Sequence, residues 1–150
     1  KADSFVTYPP LGKNNAPYTM CQDQSGNYWI GTWGEGLWQF FPKKEGEECY
    51  KRHHIINSRS GETEPIFYSM TQDNTFGYLW LLSYNELYAL QYTEEGTLVS
   101  VDIHDLVDTH MMYTKIMKDR EGNLWLGSYD MAYTIFFDNS KIDNYPLPQL

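Results

Sequence analysis

The sequence predicts an all-β chain built from about three four-stranded antiparallel sheets, and three observations carry that expectation. Three tandem segments share one pattern: "YTMCQDQSGNYWIGTWGEGLWQFF" from Tyr18, "YSMTQDNTFGYLWLLSYNELYALQY" from Tyr68 and "YTKIMKDREGNLWLGSYDMAYTIFF" from Tyr113. Their tryptophans, Trp29, Trp80 and Trp125, stand 51 and then 45 residues apart, a period of propeller-blade length. Aromatic residues make up 17% of the chain, and flat side chains favour pleated surfaces.

Each unit reads as strand, turn, strand, short loop, strand and a more variable fourth strand. In the first unit these are Tyr18 to Gln22, Tyr28 to Thr32, Leu37 to Phe41 and a fourth around Cys49 to His53. The "DQSGN" and "DREGN" links are turn chemistry, because an Asp side chain accepts from backbone amides two residues on and Gly or Asn tolerates positive φ. Asp23, Asp73 and Asp119 are therefore expected to cap turns rather than to act as catalytic carboxylates. The second link, "DNTFGY", is one residue longer, and its turn should be distorted. Trp29, Trp80 and Trp125 occupy one equivalent mid-strand place, so they are expected to fill the space between neighbouring sheets. A helical-repeat fold is excluded by the short, glycine-bounded aromatic runs, which lack a 3.6-residue rhythm. A radial, β-propeller-type stack remains, as one segment over 1–150 with blades at about 5–53, 54–100 and 101–150. Cys21 and Cys49 fall on the first and fourth strands of one blade and should be free thiols.

The net charge of −9 argues against nucleic acid or an anionic membrane surface as a partner, since phosphate binding needs clustered cations. No apolar run approaches the ~20 residues needed to span a bilayer. Three blades leave two apolar faces in water, whereas propellers close with about 4–8 blades. Self-association, or further blades of a parent chain, is the expected remedy.

In a propeller the loops joining second and third strands gather at one end. Here they hold Trp33, Tyr84 and Tyr129, each followed by a polar residue, Glu35, Asn85 and Asp130. Aromatic faces beside carboxylate or amide groups suit sugars, so these six are the candidate ligand-binding residues. No catalytic constellation is present: there is no G-x-S-x-G, and "GTWGEG" links two strands without opening a helix onto a phosphate. The cluster "VDIHDLVDTH" brings Asp102, His104, Asp105, Asp108 and His110 together in sequence, but its His spacing fits no zinc motif. A solvated linker is expected there, with no metal and no cofactor. His53 and His54 are expected at the surface.

At "DQSGNYWIGTWGEGLWQF" and "DREGNLWLGSYDMAYTIF" the chain resembles the two-component regulator propeller repeat: an Asp, a Gly-Asn turn, Trp-Ile-Gly-Thr, and a Gly-Leu shortly after. The middle copy keeps Asp73, Trp80 and Leu87 but has Leu82 in place of the glycine. The opening "SFVTYPPL" and closing "KIDNYPLPQL" read as outer strands of flanking units. The resemblance implies the periplasmic sensor part of a hybrid two-component receptor, with breakdown products of complex carbohydrate as the ligand and no catalysis in this segment. Two other readings remain: a propeller lyase, which would need a His or Glu on the inner strands, and an interaction scaffold without a small ligand.

Overall fold

A computed structural model describes residues 4–13, 16–129, 131–136 and 141–146. Twelve strands form three four-stranded antiparallel sheets in simple sequential order. The first holds β1 (Pro17–Gln22), β2 (Tyr28–Thr32), β3 (Leu37–Phe40) and β4 (Tyr50–His53). A short 3-10 turn, Gly46–Cys49, leads into β4. The second holds β5 (Ser69–Gln72), β6 (Leu79–Leu82), β7 (Leu87–Tyr92) and β8 (Leu98–Val101). The third holds β9 (Lys115–Lys118), β10 (Leu124–Gly127), β11 (Met131–Phe136) and β12 (Lys141–Pro146). The fold is an all-β, β-propeller-type stack of open sheets. The first strands β1, β5 and β9 lie side by side at the inner edge.

Alternation along the strands builds the two layers of core. In β6 every residue is buried. Leu79 and Leu81 pack with Trp29, Leu37 and Phe67 toward the first sheet, while Trp80 and Leu82 pack with Leu124, Leu126 and Tyr113 toward the third. Trp29 and Trp80 are thus sealed between blades, 2% and 0% exposed. Trp125 has the opposite parity to Leu124 and Leu126, so it faces away from the other two sheets and is only half-buried.

Three details correct the sequence reading. The closing segment is not part of a flanking unit: Lys141–Pro146 pairs with β11 as the third sheet's own outer strand. The opening segment is not a strand, since Pro9 and Pro10 carry no N–H for a ladder. It lies over the first sheet's outer face, with Tyr8 edge-on to Phe40 at 4.6 Å, the Pro9 carbonyl accepting from the Tyr50 hydroxyl at 2.9 Å, and Leu11 buried. His53 is buried rather than at the surface: it pairs across from Leu37, on the face that carries Trp29, whose ring lies 5.1 Å away. Its neighbour His54 is exposed.

Cys21 and Cys49 are free thiols, and burial pushes Cys21 up to about 12, with Asp23 adding to the rise.

Candidate functional site

The loops that follow β2 and β6 are closed by one device. The Thr32 hydroxyl donates to the Gly36 carbonyl at 2.8 Å and accepts from the Glu35 N–H at 3.0 Å. The Ser83 hydroxyl does the same, donating to the Glu86 carbonyl and accepting from the Asn85 and Glu86 amides. With the small hydroxyl residue clamping the loop from inside, the aromatic residue after it turns outward. Gly36, at φ 75°, also lets the first loop approach the linker that follows β4, since a Cβ there would stand 3.1 Å from the Glu64 carbonyl.

The outcome is one cleft of about 350 Å³ shared by all three blades, lined by Trp33, Tyr84 and Tyr129 together with Tyr18, Tyr68 and the segment from Met112 to Lys115. Four of its rings form a continuous chain. Tyr18 and Trp33 have centroids 5.3 Å apart, Trp33 meets Tyr84 edge-on at 5.3 Å, and Tyr84 meets Tyr68 at 5.8 Å. The Tyr68 hydroxyl donates to the Tyr113 carbonyl, and its pKa is raised by burial first and then by Tyr84 and Tyr129. Trp33 remains 40% exposed, Tyr84 52% and Tyr129 80%. A contiguous aromatic surface open to this extent marks a contact or ligand site more often than a packing defect.

The six candidate residues divide. Trp33, Tyr84 and Tyr129 converge, but the polar members do not join them. Glu35 forms an ion pair with Arg52 at 3.3 Å beside the Trp38 ring, and Asn85 points its amide at Glu64, 3.3 Å away. Asp130 lies outside the described residues. The polar groups on the cleft are instead the tyrosine hydroxyls, Thr114 and Lys115. Tyr18, Tyr68 and Met112 were missed by sequence reasoning. The signal for the tyrosines was present, because Tyr18, Tyr68 and Tyr113 open the three aligned units.

Each turn carboxylate does more than cap. Besides backbone amides, Asp23, Asp73 and Asp119 each accept the indole N–H of their own blade's tryptophan, at 2.9, 2.9 and 2.8 Å. The inner strands spend their polar side chains on blade-to-blade links: Gln72 accepts the Gln24 amide at 2.7 Å, and Lys118 donates to Asn74 at 2.9 Å. They offer Gln22, Gln72, Lys115 and Lys118 but no His or Glu. Among the described residues no helix is long and apolar enough to cross a membrane.

The sequence pattern of the "Two component regulator propeller" family matches residues 11–34 and 108–130. These two segments carry the two-component regulator propeller repeat. The middle unit, with its longer turn and Leu82, falls outside the matched segments yet forms a sheet of the same topology as the matched two. The extracellular domain of a proposed hybrid two component system from B. thetaiotaomicron superposes with a TM-score of 0.63 at 20% identity, over 94% of this chain and 18% of that one. Virginiamycin B lyase from Staphylococcus aureus superposes with a TM-score of 0.60 at 15% identity, over 91% of this chain and 43% of that one. At these identities the likeness is one of fold, and the repeats here span less than half of either structure. No curated protein matches the sequence.

Proposed function

We propose that this propeller segment is the ligand-reading part of an extracytoplasmic two-component sensor, non-enzymatic in itself, and that its aromatic cleft takes a carbohydrate fragment. The observation that carries the reading is the convergence of Trp33, Tyr84 and Tyr129, from three separate blades, on one open cleft. Its volume lies within the ~300–1,000 Å³ range of small-ligand sites. Sugar rings present C–H faces to such walls, and the tyrosine hydroxyls, Thr114 and Lys115 supply directed polar contacts. Among the described residues that line the cleft there is no histidine or glutamate, the residue types the lyase reading calls for. A ligand bridging three blades favours one relative packing of them, which is the differential contact a two-state sensor needs. The repeat family and the hybrid two component neighbour support the sensor role.

Titration with a panel of oligosaccharides, followed by tryptophan fluorescence and thermal shift, tests the reading. A saturable response should vanish in Trp33→Ala and in Tyr84→Ala and persist in Glu35→Gln. If no glycan gives a saturable response, the sugar assignment fails and the aromatic surface is a contact for another domain.

A further inference from the structure

A second cleft, of about 240 Å³, lies beside the β6–β7 loop and is lined in part by Ser58, Glu86, Asp102, His104 and Thr109. We propose that Glu86, His104 and His110 form a binding site for a divalent transition metal, with Zn²⁺ the best match.

One carboxylate oxygen of Glu86 and one ring nitrogen of each histidine lie within 4.8 Å of one another. The three come from different parts of the fold. Glu86 closes the β6–β7 loop, and both histidines sit on the β8–β9 linker. That linker makes a single helical turn, in which the Leu106 and Val107 amides donate to the Ile103 carbonyl. Ile103 and Val107 are buried by the turn, and the two imidazoles are left 5.9 Å apart.

The surroundings are those of a prepared ligand set. Glu86 is only 7% exposed, and Ser58 donates to its carboxylate at 3.0–3.1 Å. Asp102 holds Nδ1 of His104 at 2.8 Å, which leaves Nε2 as the coordinating nitrogen. A carboxylate bonded to the far ring nitrogen is the usual way a metal-binding histidine is oriented and made more basic. Nδ1 of His110 is buried with no hydrogen-bond partner, and so is the hydroxyl of the adjacent Thr109. Buried polar atoms without partners are rare in folded proteins and call for a reason. A metal would supply one for the imidazole, and a metal-bound water would supply one for the hydroxyl.

Two imidazoles and one carboxylate are donors for zinc and its first-row neighbours, whereas Ca²⁺ and Mg²⁺ take oxygen sets. Tetrahedral bonds of about 2.0–2.2 Å put donors about 3.3–3.6 Å apart. The mostly exposed His104 side chain can close the set by a rotamer adjustment. Bound there, the ion would tie the β8–β9 linker to the body of the second blade. The linker spacing alone conceals this site, because the third ligand comes from a loop 18 residues upstream of His104.

The test is calorimetric titration of the chelator-treated chain with Zn²⁺, and separately with Mg²⁺, alongside the visible spectrum of the Co²⁺ form. A single zinc equivalent at micromolar concentration or below, a higher Tm with zinc and intense Co²⁺ bands are expected, with little response to Mg²⁺. His104→Ala and His110→Ala should each weaken zinc binding by about tenfold or more, and His54→Ala, at an exposed histidine on another linker, should not. His104→Ala removes an exposed side chain, so the test does not depend on a variant with a disrupted core. The absence of saturable zinc binding, or a loss no larger in His104→Ala and His110→Ala than in His54→Ala, overturns the site.

Discussion

The indole N–H of Trp80 donates to Oδ2 of Asp73 at 2.9 Å, and the same carboxylate accepts four backbone amides, from Thr75, Phe76, Gly77 and Tyr78. One buried side chain therefore closes the β5–β6 turn and fixes the tryptophan that fills the space toward the third sheet. The extra residue of this turn accounts for its altered bonding: Oδ1 gathers three amides here, where that of Asp23 gathers two. Asp73→Ala should lower unfolding free energy by about 3 kcal/mol, since bonds to a charged acceptor are lost and buried donors are left unpaired. Trp80→Phe should show a coupling with it in a double-mutant cycle by urea denaturation. Additive effects would mean that the indole bond contributes nothing.

Gly31 and Gly127 occupy the same place in their units but face different neighbours. A Cβ on Gly31 would stand 2.8 Å from the Phe67 carbonyl oxygen and 2.7 Å from Thr19 Cγ2. On Gly127 its nearest contact would be Thr114 Oγ1 at 3.4 Å. Gly31→Ala is expected to cost about 1–3 kcal/mol through overpacking against backbone, and Gly127→Ala less than about 0.5 kcal/mol. Equal midpoints of denaturation for the two variants would refute the close-approach argument.

The architecture was legible because it repeats: period, turn residues and strand parity all recur, and each recurrence supports the others. Leu82, which breaks the glycine position, does not disturb the fold, because the second sheet has room there for a side chain that packs with Trp80. The aromatic half of the candidate site was legible for the same reason, since Trp33, Tyr84 and Tyr129 follow a recurring small hydroxyl residue. Its polar half was not. Glu35 and Asn85 are drawn off by Arg52 and Glu64, which lie 17 and 21 positions away in sequence and whose proximity is a property of the fold. His53 was misplaced because an adjacent pair of histidines reads as polar surface, while strand alternation turns one of the two inward.

His53 should make the protein acid-sensitive. Burial first, then Lys51 and His54, lowers its pKa to about 4, against about 6.5 for an unfolded histidine. Between these values the unfolded state binds more protons, so the contribution of His53 to stability is full above about pH 6.5 and is lost as pH falls toward about 4. His53→Phe removes this titration. The fall in Tm between pH 7 and pH 4.5 should therefore be smaller in the variant than in the parent, and identical falls would exclude His53 as a contributor.

Glu64 is 2% exposed and takes bonds from the Asn57 amide at 2.7 Å and the Tyr88 hydroxyl at 2.8 Å. It joins the β4–β5 linker to the second sheet, and Tyr88 has its pKa raised by burial first and then by Glu64. Tyr88→Phe keeps the ring against Phe67 but removes the donor. A loss of about 1–2 kcal/mol is expected, together with faster amide hydrogen exchange along the linker and unchanged exchange in β9 and β10. Uniform acceleration across all three sheets would show that the bond supports the whole stack rather than this junction.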